Sequence, residues 1–553
     1  MMRIQRRSWL IALPILATLT FSGAHTPQSV GQNGADALAG KTIVEGFADA
    51  LAVARNHYAG SIDSERVTKS SILGMLHTLD PHSSYLDPKE WQEFQNQQHS
   101  HYSGIGSTII PHNGKVYILS PFDGTPSYRA GIRYGDQIVE VDGQSTEGWT
   151  SVQVTNKLLG PEGTPVTVKV SRIGTDRPLE YKLIRASVPL PSIASYFMLG
   201  KGIGYIDLQR GFNTTTAEEM SSALKDLRGQ GMTSLILDLR ANRGGLVDQA
   251  WRVSNEFLYH GQKIVSMRGR APFFPDRDLA ASNTAPDDMP VVVLINGGTA
   301  SAAEIVAGAL QDHDRARLVG EGSFGKGLVQ NVFPLRDGSG LLLTTGKYYT
   351  PSGRLIQRDY TNRSFYDYYL QRGDKESLQV HQPEAKHTDS GRVVYGGDGI
   401  QPDVAIKIPL RYFRLIRAWA DPVFAFSRDL VAGAIPGFAE FKVTGPADHK
   451  HRLDSTEYRV DDKVLAAFKK YLKEHQELKS DLPGLDKEGD LIKEQIRQEV
   501  VTAAYGQEIA RSVILEGDAQ MRKALSELPN ARVLADDIRR AWQAGHNGEL
   551  RRN

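Results

Sequence analysis

Val291-Val292-Val293-Leu294-Ile295, followed closely by Gly298-Thr299-Ala300-Ser301-Ala302-Ala303-Glu304, is the stretch that decides the fold. The five apolar residues predict a buried strand and Ala302 to Leu310 predict a helix, so Ser301 falls at a strand-to-helix turn. Alternation of this kind recurs upstream. Ile203 to Leu208 and Ser234 to Leu239 read as strands and Ala217 to Leu227 as a helix, which together point to an α/β core.

The turn also carries chemistry. It presents the Ser301 hydroxyl and leaves the Ala302 amide free to donate to an oxyanion. A serine hydroxyl needs a base to take its proton, and a lysine serves only if desolvation lowers its pKa toward neutrality. Lys326, 25 residues beyond Ser301, lies in Phe324-Gly325-Lys326-Gly327-Leu328-Val329-Gln330, where flanking glycines give its ammonium few acidic partners and Phe324 is apolar. His313 is the rival base. A continuous helix from Ser301 would carry it roughly 18 Å away, out of reach. Taken singly, Ser301 also reads as an ordinary helix N-cap and Lys326 as a solvated loop lysine.

Together these segments resemble the carboxy-terminal processing proteases, also called tail-specific proteases. The family pattern is Gly-Ser/Thr-Ala-Ser-Ala-Ser-Glu, then Phe-Gly-Lys-Gly ending in Gln. The resemblance implies Ser301 as nucleophile, Lys326 as general base and Gln330 as the residue that orients the lysine. Ala303 replaces the family's second serine, a position outside the nucleophile. Ala241-Asn242-Arg243-Gly244-Gly245 matches a turn that, in the family, lends a backbone N–H to the oxyanion hole, from Gly245 or Gly244 here. Tyr348-Tyr349-Thr350-Pro351-Ser352-Gly353-Arg354, Gly399 to Val404 and Asp80-Pro81-His82-Ser83 are further matches, read as structural. The implied fold is multidomain α+β with a Clp-protease/crotonase-like α/β catalytic core.

A second module precedes the core. Val116 to Leu119, Ile138 to Val141 and Val166 to Val170 read as strands, and Ala130-Gly131-Ile132, Gly135-Asp136-Gln137-Ile138 and Val141-Asp142-Gly143 form the pattern of a PDZ domain. Such a domain adds an extended peptide to a sheet edge, while loop N–H groups hold its terminal carboxylate. That loop is Ser103, Gly104, Ile105 and Gly106. The expected partners are therefore polypeptides with free apolar C-termini.

Arg3, Arg6 and Arg7 precede an apolar run from Trp9 to Phe21 and the small residues Ser22-Gly23-Ala24, the composition of an export signal. The competing reading is an uncleaved anchor, although the run falls short of the ~20 residues a span needs. Either way the catalytic domain is expected outside the cytoplasm, periplasmic or otherwise extracytoplasmic. Removing residues 1–24 takes three positive charges and no negative ones, turning the net +1 into −2.

That balance gives no reason to expect nucleic acid. With no cysteine in 553 residues, disulfides, thiol catalysis and cysteine-ligated zinc are excluded. His82, His101 and His112 fall in no ligand spacing, so neither metal nor cofactor is assigned. Gly320 to Gly327 nearly matches a phosphate-binding loop, but Gly327 stands where that loop needs Ser or Thr.

The expected organisation is a signal (1–24), a linker (25–39), an N-terminal helical segment (40–100), the PDZ domain (101–187), the serine protease core (188–410) and a C-terminal helical domain (411–553). Within the core, 358–395 is a polar, tyrosine-rich insertion, either a substrate-facing flap or a decorated loop. In the tail, Val464, Leu465, Phe468, Tyr471 and Leu472 form one apolar face and Ile492, Ile496, Val500 and Ala504 another. Dimerisation and membrane proximity are both compatible with that tail. The alternative function is a PDZ-based binding protein whose serine site is idle or gated by a partner.

Overall fold

A computed structural model of the chain describes residues 34–98, 100–270, 274–361, 368, 385–478 and 487–550. The export segment 1–24 lies outside the described residues, as does most of the insertion 358–395.

The core is built on a six-stranded sheet in the order Ser195–Gly200, Ile203–Asp207, Ser234–Asp238, Val291–Ile295, Ala316–Gly320, Val404–Ala405. Its first pair is antiparallel and the others are parallel. All five residues of Val291–Ile295 are buried, because helices or helical segments cover both faces of a largely parallel sheet. On one face lie Thr216–Gly229, Val247–Asn255 and Ala302–Asp312. The last of these is buried along its whole length, as an alanine-rich helix without a polar stripe must be.

The other face of the sheet is closed by the C-terminal region. Leu515, Met521, Ala524 and Ala531 pack against Tyr205, Ile236, Val292, Leu294 and Val319. The helical tail therefore divides in two. Helices Leu410–Ala432, Asp462–Glu474 and Gly489–Tyr505 share a core of their own, in which Trp419, Phe426, Phe468 and Ile496 are buried. Helices Gln507–Gly517 and Ala519–Leu550 instead complete the protease core. Both apolar faces expected from the sequence are buried.

A second sheet is centred on Gly340–Tyr349. Leu328–Pro334 pairs along one edge, while Ser84–Leu86 and Lys263–Gly269 share the other. Ser84–Leu86 is thus a strand of the core contributed by a segment whose sequence reads mainly as helix. Two helices precede it, Gly34–His57 and Ser64–His77, and the first begins inside the expected linker.

The upstream module has strands Ser107–His112, Lys115–Pro121, Gln137–Val141, Pro165–Ser171 and Leu179–Ile184 in that spatial order. Ser107–His112 stands at an edge, and helix Ser151–Leu158 begins in a capping box made by Thr150 and Gln153. His101–Gly104 pairs with Ala186–Pro189, joining the two ends of the module. The module rests on the tail, where His112 stacks on Phe424 at 4.0 Å and the Tyr134 hydroxyl donates to Glu499 at 2.8 Å.

Candidate active site

Ser301 ends the turn with φ 57° and ψ −118°, a conformation that costs a non-glycine residue about 1–3 kcal/mol. Its neighbours impose that conformation. The Ala300 N–H donates to the Asn242 carbonyl at 2.8 Å, and the Ser301 N–H donates to Glu304 Oε2 at 2.8 Å. The Ser301 Oγ is buried and has no hydrogen-bond partner. Ser301 therefore occupies the N-cap position of Ala302–Asp312 and its N–H is held by Glu304, but its hydroxyl is not engaged in capping the helix.

Lys326 is brought alongside through its backbone. Its N–H donates to Glu304 Oε2 at 2.9 Å, the oxygen that also holds Ser301. Glu304 Oε1 accepts from the Gly325 N–H at 2.7 Å and from the Ser323 hydroxyl. Of the loop N–H groups that would cradle a phosphate, those of Gly325 and Lys326 are thus taken by a carboxylate and that of Gly327 by Gln357 Oε1 at 2.8 Å. The Tyr348 hydroxyl completes the clamp, lying between the carbonyl oxygens of Ser301, at 2.9 Å, and Lys326. Burial pushes the Glu304 carboxyl up, while its four hydrogen bonds pull the other way.

The Lys326 side chain is 2% exposed, and its Nζ has no hydrogen-bond partner. Burial brings its pKa down to about 7, against weaker opposing attraction from Asp80 and Glu304. Beside it, burial together with the charges of Lys326 and Arg358 holds the His82 imidazole well below its usual pKa. The His82 Nε2 lies 2.9 Å from the Tyr368 hydroxyl, so the one described residue within 362–384 forms part of the wall around this site. Gln330 is fully buried. Its amide donates to the His82 carbonyl at 2.6 Å, which leaves its Oε1 without a partner.

The structure therefore joins Ser301 and Lys326 by a shared carboxylate and a shared tyrosine, but not by a hydrogen bond between their side chains. Three buried polar atoms, Ser301 Oγ, Lys326 Nζ and Gln330 Oε1, are unsatisfied. Such groups are rare in folded proteins and mark functional or strained places. His313 is turned elsewhere, with Nδ1 2.7 Å from Asp389 and Nε2 2.7 Å from the Lys263 carbonyl.

The glycine turn packs directly on the serine. A Cβ on Gly244 would lie 2.7 Å from the Ser301 Cβ and 2.9 Å from the Ala302 nitrogen. The Gly244 N–H is already taken by the Asn242 side chain at 2.9 Å. Among the described residues, no acceptor takes the N–H of Gly245 or of Ala302.

In the upstream module, Ser103 and Gly104 belong to the strand paired with Ala186–Pro189. The Gly106 carbonyl accepts from the Phe122 N–H and from the hydroxyls of Thr125 and Ser127, whereas the N–H groups of Ile105 and Gly106 meet no acceptor among the described residues. Gly106 has φ +78°, and any Cβ there would strike Thr125 at 2.3 Å.

Sequence reasoning assigned no role to Glu304, Tyr348 or the His82 carbonyl. The Glu304 position carried a signal, since a serine followed three residues later by glutamate before an apolar run is a capping-box pattern.

Residues 202–363 match peptidase family S41 and residues 117–172 match the PDZ domain. The carboxy-terminal-processing protease of Bartonella bacilliformis is 40% identical over 315 residues, covering 56% of this chain and 72% of that one. Carboxy-terminal processing protease CtpA of Bacillus subtilis is 32% identical over 350 residues, covering 63% and 74% respectively. A solved photosystem II D1 C-terminal processing protease is 28% identical, covering 63% of this chain and 84% of that one, with a TM-score of 0.34.

Proposed function

This chain belongs to peptidase family S41 and is a serine-type peptidase with a PDZ domain, and we propose that it is an exported endopeptidase that takes hold of polypeptides by an apolar free C-terminus and cleaves them with Ser301 and Lys326. The observation that carries this reading is the shared clamp. A strained serine and a buried amine with a pKa of about 7 are held on one carboxylate oxygen, the combination a serine–lysine centre needs.

In the proposed reaction the neutral Lys326 amine takes the Ser301 hydroxyl proton as Oγ attacks the scissile carbonyl carbon. The N–H groups of Ala302 and Gly245 donate to the developing oxyanion, and Gly244 serves by its close approach to the serine. Lys326 returns the proton to the leaving amine, and then activates the water that releases the acyl group. Gln330 Oε1 supplies a polar contact that orients the amine.

The peptide's C-terminal carboxylate is taken by the N–H groups of Ile105 and Gly106, within the loop Ser103, Gly104, Ile105 and Gly106. The chain then lies along the edge strand Ser107–His112. Leu159, exposed and 3.2 Å from a Cβ placed on Gly104, favours an apolar terminal side chain. Among the described residues, no helix is long and apolar enough to cross a membrane. Export rests on the basic and apolar segment 1–24.

A partner-gated site is the second reading, and it rests on Ser301 being 0% exposed with its hydroxyl unengaged. Mass spectrometry of an unstructured polypeptide with an apolar C-terminus separates the two. Cleavage by the parent and not by Ser301→Ala or Lys326→Ala supports the peptidase centre. Intact substrate in all three reactions supports gating.

A further inference from the structure

Asp238 ends a core strand and Arg240 follows it, six and four residues before Gly244 in the glycine turn that faces Ser301. They form a buried ion pair, with Arg240 Nε 2.9 Å from Asp238 Oδ1 and Nη2 2.7 Å from Oδ2. Within the segment matched to the peptidase family, Asp238 Oδ2 also accepts from the Tyr205 hydroxyl at 2.8 Å and the Gln209 amide at 3.0 Å, and further partners reach the pair from beyond that segment. Arg511 Nη2 lies 3.2 Å from Asp238 Oδ2, and its Nε lies 3.0 Å from Asp207. Asp518 Oδ2 lies 2.5 Å from Arg240 Nη1. Both partners come from the C-terminal helices, well beyond residue 363 where the family match ends.

Three carboxylates therefore share two guanidiniums, with Asp238 fully buried and Arg240 nearly so. An arrangement of this kind is a poor source of stability, because desolvation offsets most of the attraction between the charges. What it does fix is position. The Arg240 N–H donates back to Asp238 Oδ1 at 3.0 Å, and two residues later Asn242 holds both the Ala300 N–H and the Gly244 N–H. A shift of residues 238–240 is thereby carried to Gly245 and to the backbone beside Ser301.

We propose that Arg511 and Asp518 are positioning residues for the peptidase reaction, holding Asp238 and Arg240 so that the glycine turn presents the Gly245 N–H to the oxyanion formed at Ser301. The C-terminal helices thus do more than cover the sheet; they set the geometry of the oxyanion site. This rests on the reading of Ser301 as nucleophile and Gly245 as donor.

The test uses the full chain and its Arg511→Gln, Arg511→Lys, Asp518→Asn and Ser301→Ala variants, with an unstructured apolar-tailed polypeptide as substrate and a peptide aldehyde as inhibitor. The aldehyde forms a hemiacetal with the serine and so reports on the oxyanion site directly. Arg511→Gln and Asp518→Asn are expected to lower kcat by roughly 10- to 100-fold with KM changed little, and to weaken aldehyde inhibition by a similar factor. Arg511→Lys is expected to recover part of both losses.

The inference is overturned if both variants keep the parent's kcat, or lose activity only in proportion to the unfolded fraction seen by circular dichroism while aldehyde affinity stays unchanged. Should Arg511→Gln fail to fold, Asp518→Asn decides the matter, since it leaves both arginines paired with Asp238. Cleavage that survives Ser301→Ala would instead remove the active-site reading on which the inference stands.

Discussion

Ser301 and Lys326 donate their backbone N–H groups to the same carboxylate oxygen, Oε2 of Glu304, at 2.8 and 2.9 Å. The other oxygen holds Gly325 and Ser323, so four donors converge on one buried group. In Glu304→Gln an NH2 group must face two of them, whichever way the amide is turned. Stranding a buried donor costs about 1–3 kcal/mol, and a loosened clamp misplaces serine and lysine together. The expected result is a lower urea midpoint and a fall in kcat of about 100-fold. Labelling with a serine-reactive fluorophosphonate beside a denaturation curve separates the two effects, and a parental kcat in the variant would remove Glu304 from the mechanism.

The proposed role of Lys326 as base dictates the pH dependence. Its neutral form does the work, so kcat/KM should rise with pH through an apparent midpoint near 7. Stability follows the same proton. The folded pKa of about 7 lies below the ordinary 10.5, so the stability tied to the neutral amine is full above 10.5 and is lost as pH falls from about 10.5 to about 7. Burying the amine therefore penalises the fold at lower pH, by up to about 5 kcal/mol. Lys326→Met should be inactive yet more stable than the parent at pH 6, with the advantage shrinking by pH 9. Denaturation midpoints at the two pH values check the sign.

Much of this was legible because the decisive signals are local in the chain. The run Val291 to Ile295, the turn to Ser301 and the glycines around Lys326 each lie within a few residues, and the strands of the PDZ module alternate with turn residues on the same scale. The remainder depends on contacts distant in sequence. Ser84–Leu86 is too short for a period to show, and only its pairing with Leu342, Leu341 and Gly340 makes it a strand. The faces of the tail helices announced burial but not their partners, so Met521 and Ala524 gave no sign that they cover the protease sheet rather than one another. Glu304 was visible as a helix-start residue, yet its hold on Lys326 spans 22 residues and needs the loop already folded.

Gln330 offers a separate handle on the amine. Its Nε2 is committed to the His82 carbonyl and its buried Oε1 has no partner, and the proposed reaction directs that oxygen toward the Lys326 amine. Gln330→Glu adds a negative charge there and should favour the ammonium. The midpoint of the pH–rate profile is expected to move up by about 1–3 units. Gln330→Ala removes the proposed orienting group without adding charge, so kcat should fall with the midpoint moved far less. A profile unmoved by the carboxylate would place Gln330 away from the base.

Gly244 and Gly245 are adjacent, but their substitutions should fail differently. An added Cβ at Gly244, where φ is +93°, meets the Ser301 Cβ at 2.7 Å, the Ala300 carbonyl at 2.8 Å and the Ala302 nitrogen at 2.9 Å. Gly244→Ala therefore presses on the proposed nucleophile and on one of the two proposed oxyanion donors. At Gly245, where φ is +146°, the added atom meets the Phe212 carbonyl at 2.1 Å, a backbone contact that ties the turn to the chain after the strand Ile203–Asp207. Gly245→Ala therefore presses on the scaffold. Gly244→Ala should lose activity well beyond its loss of stability, with kcat down by about 100-fold or more, as for removal of an oxyanion donor. Gly245→Ala should show the larger drop in denaturation midpoint. Activity in Gly244→Ala that falls only in proportion to its loss of stability would mean that Gly244 acts only as scaffold.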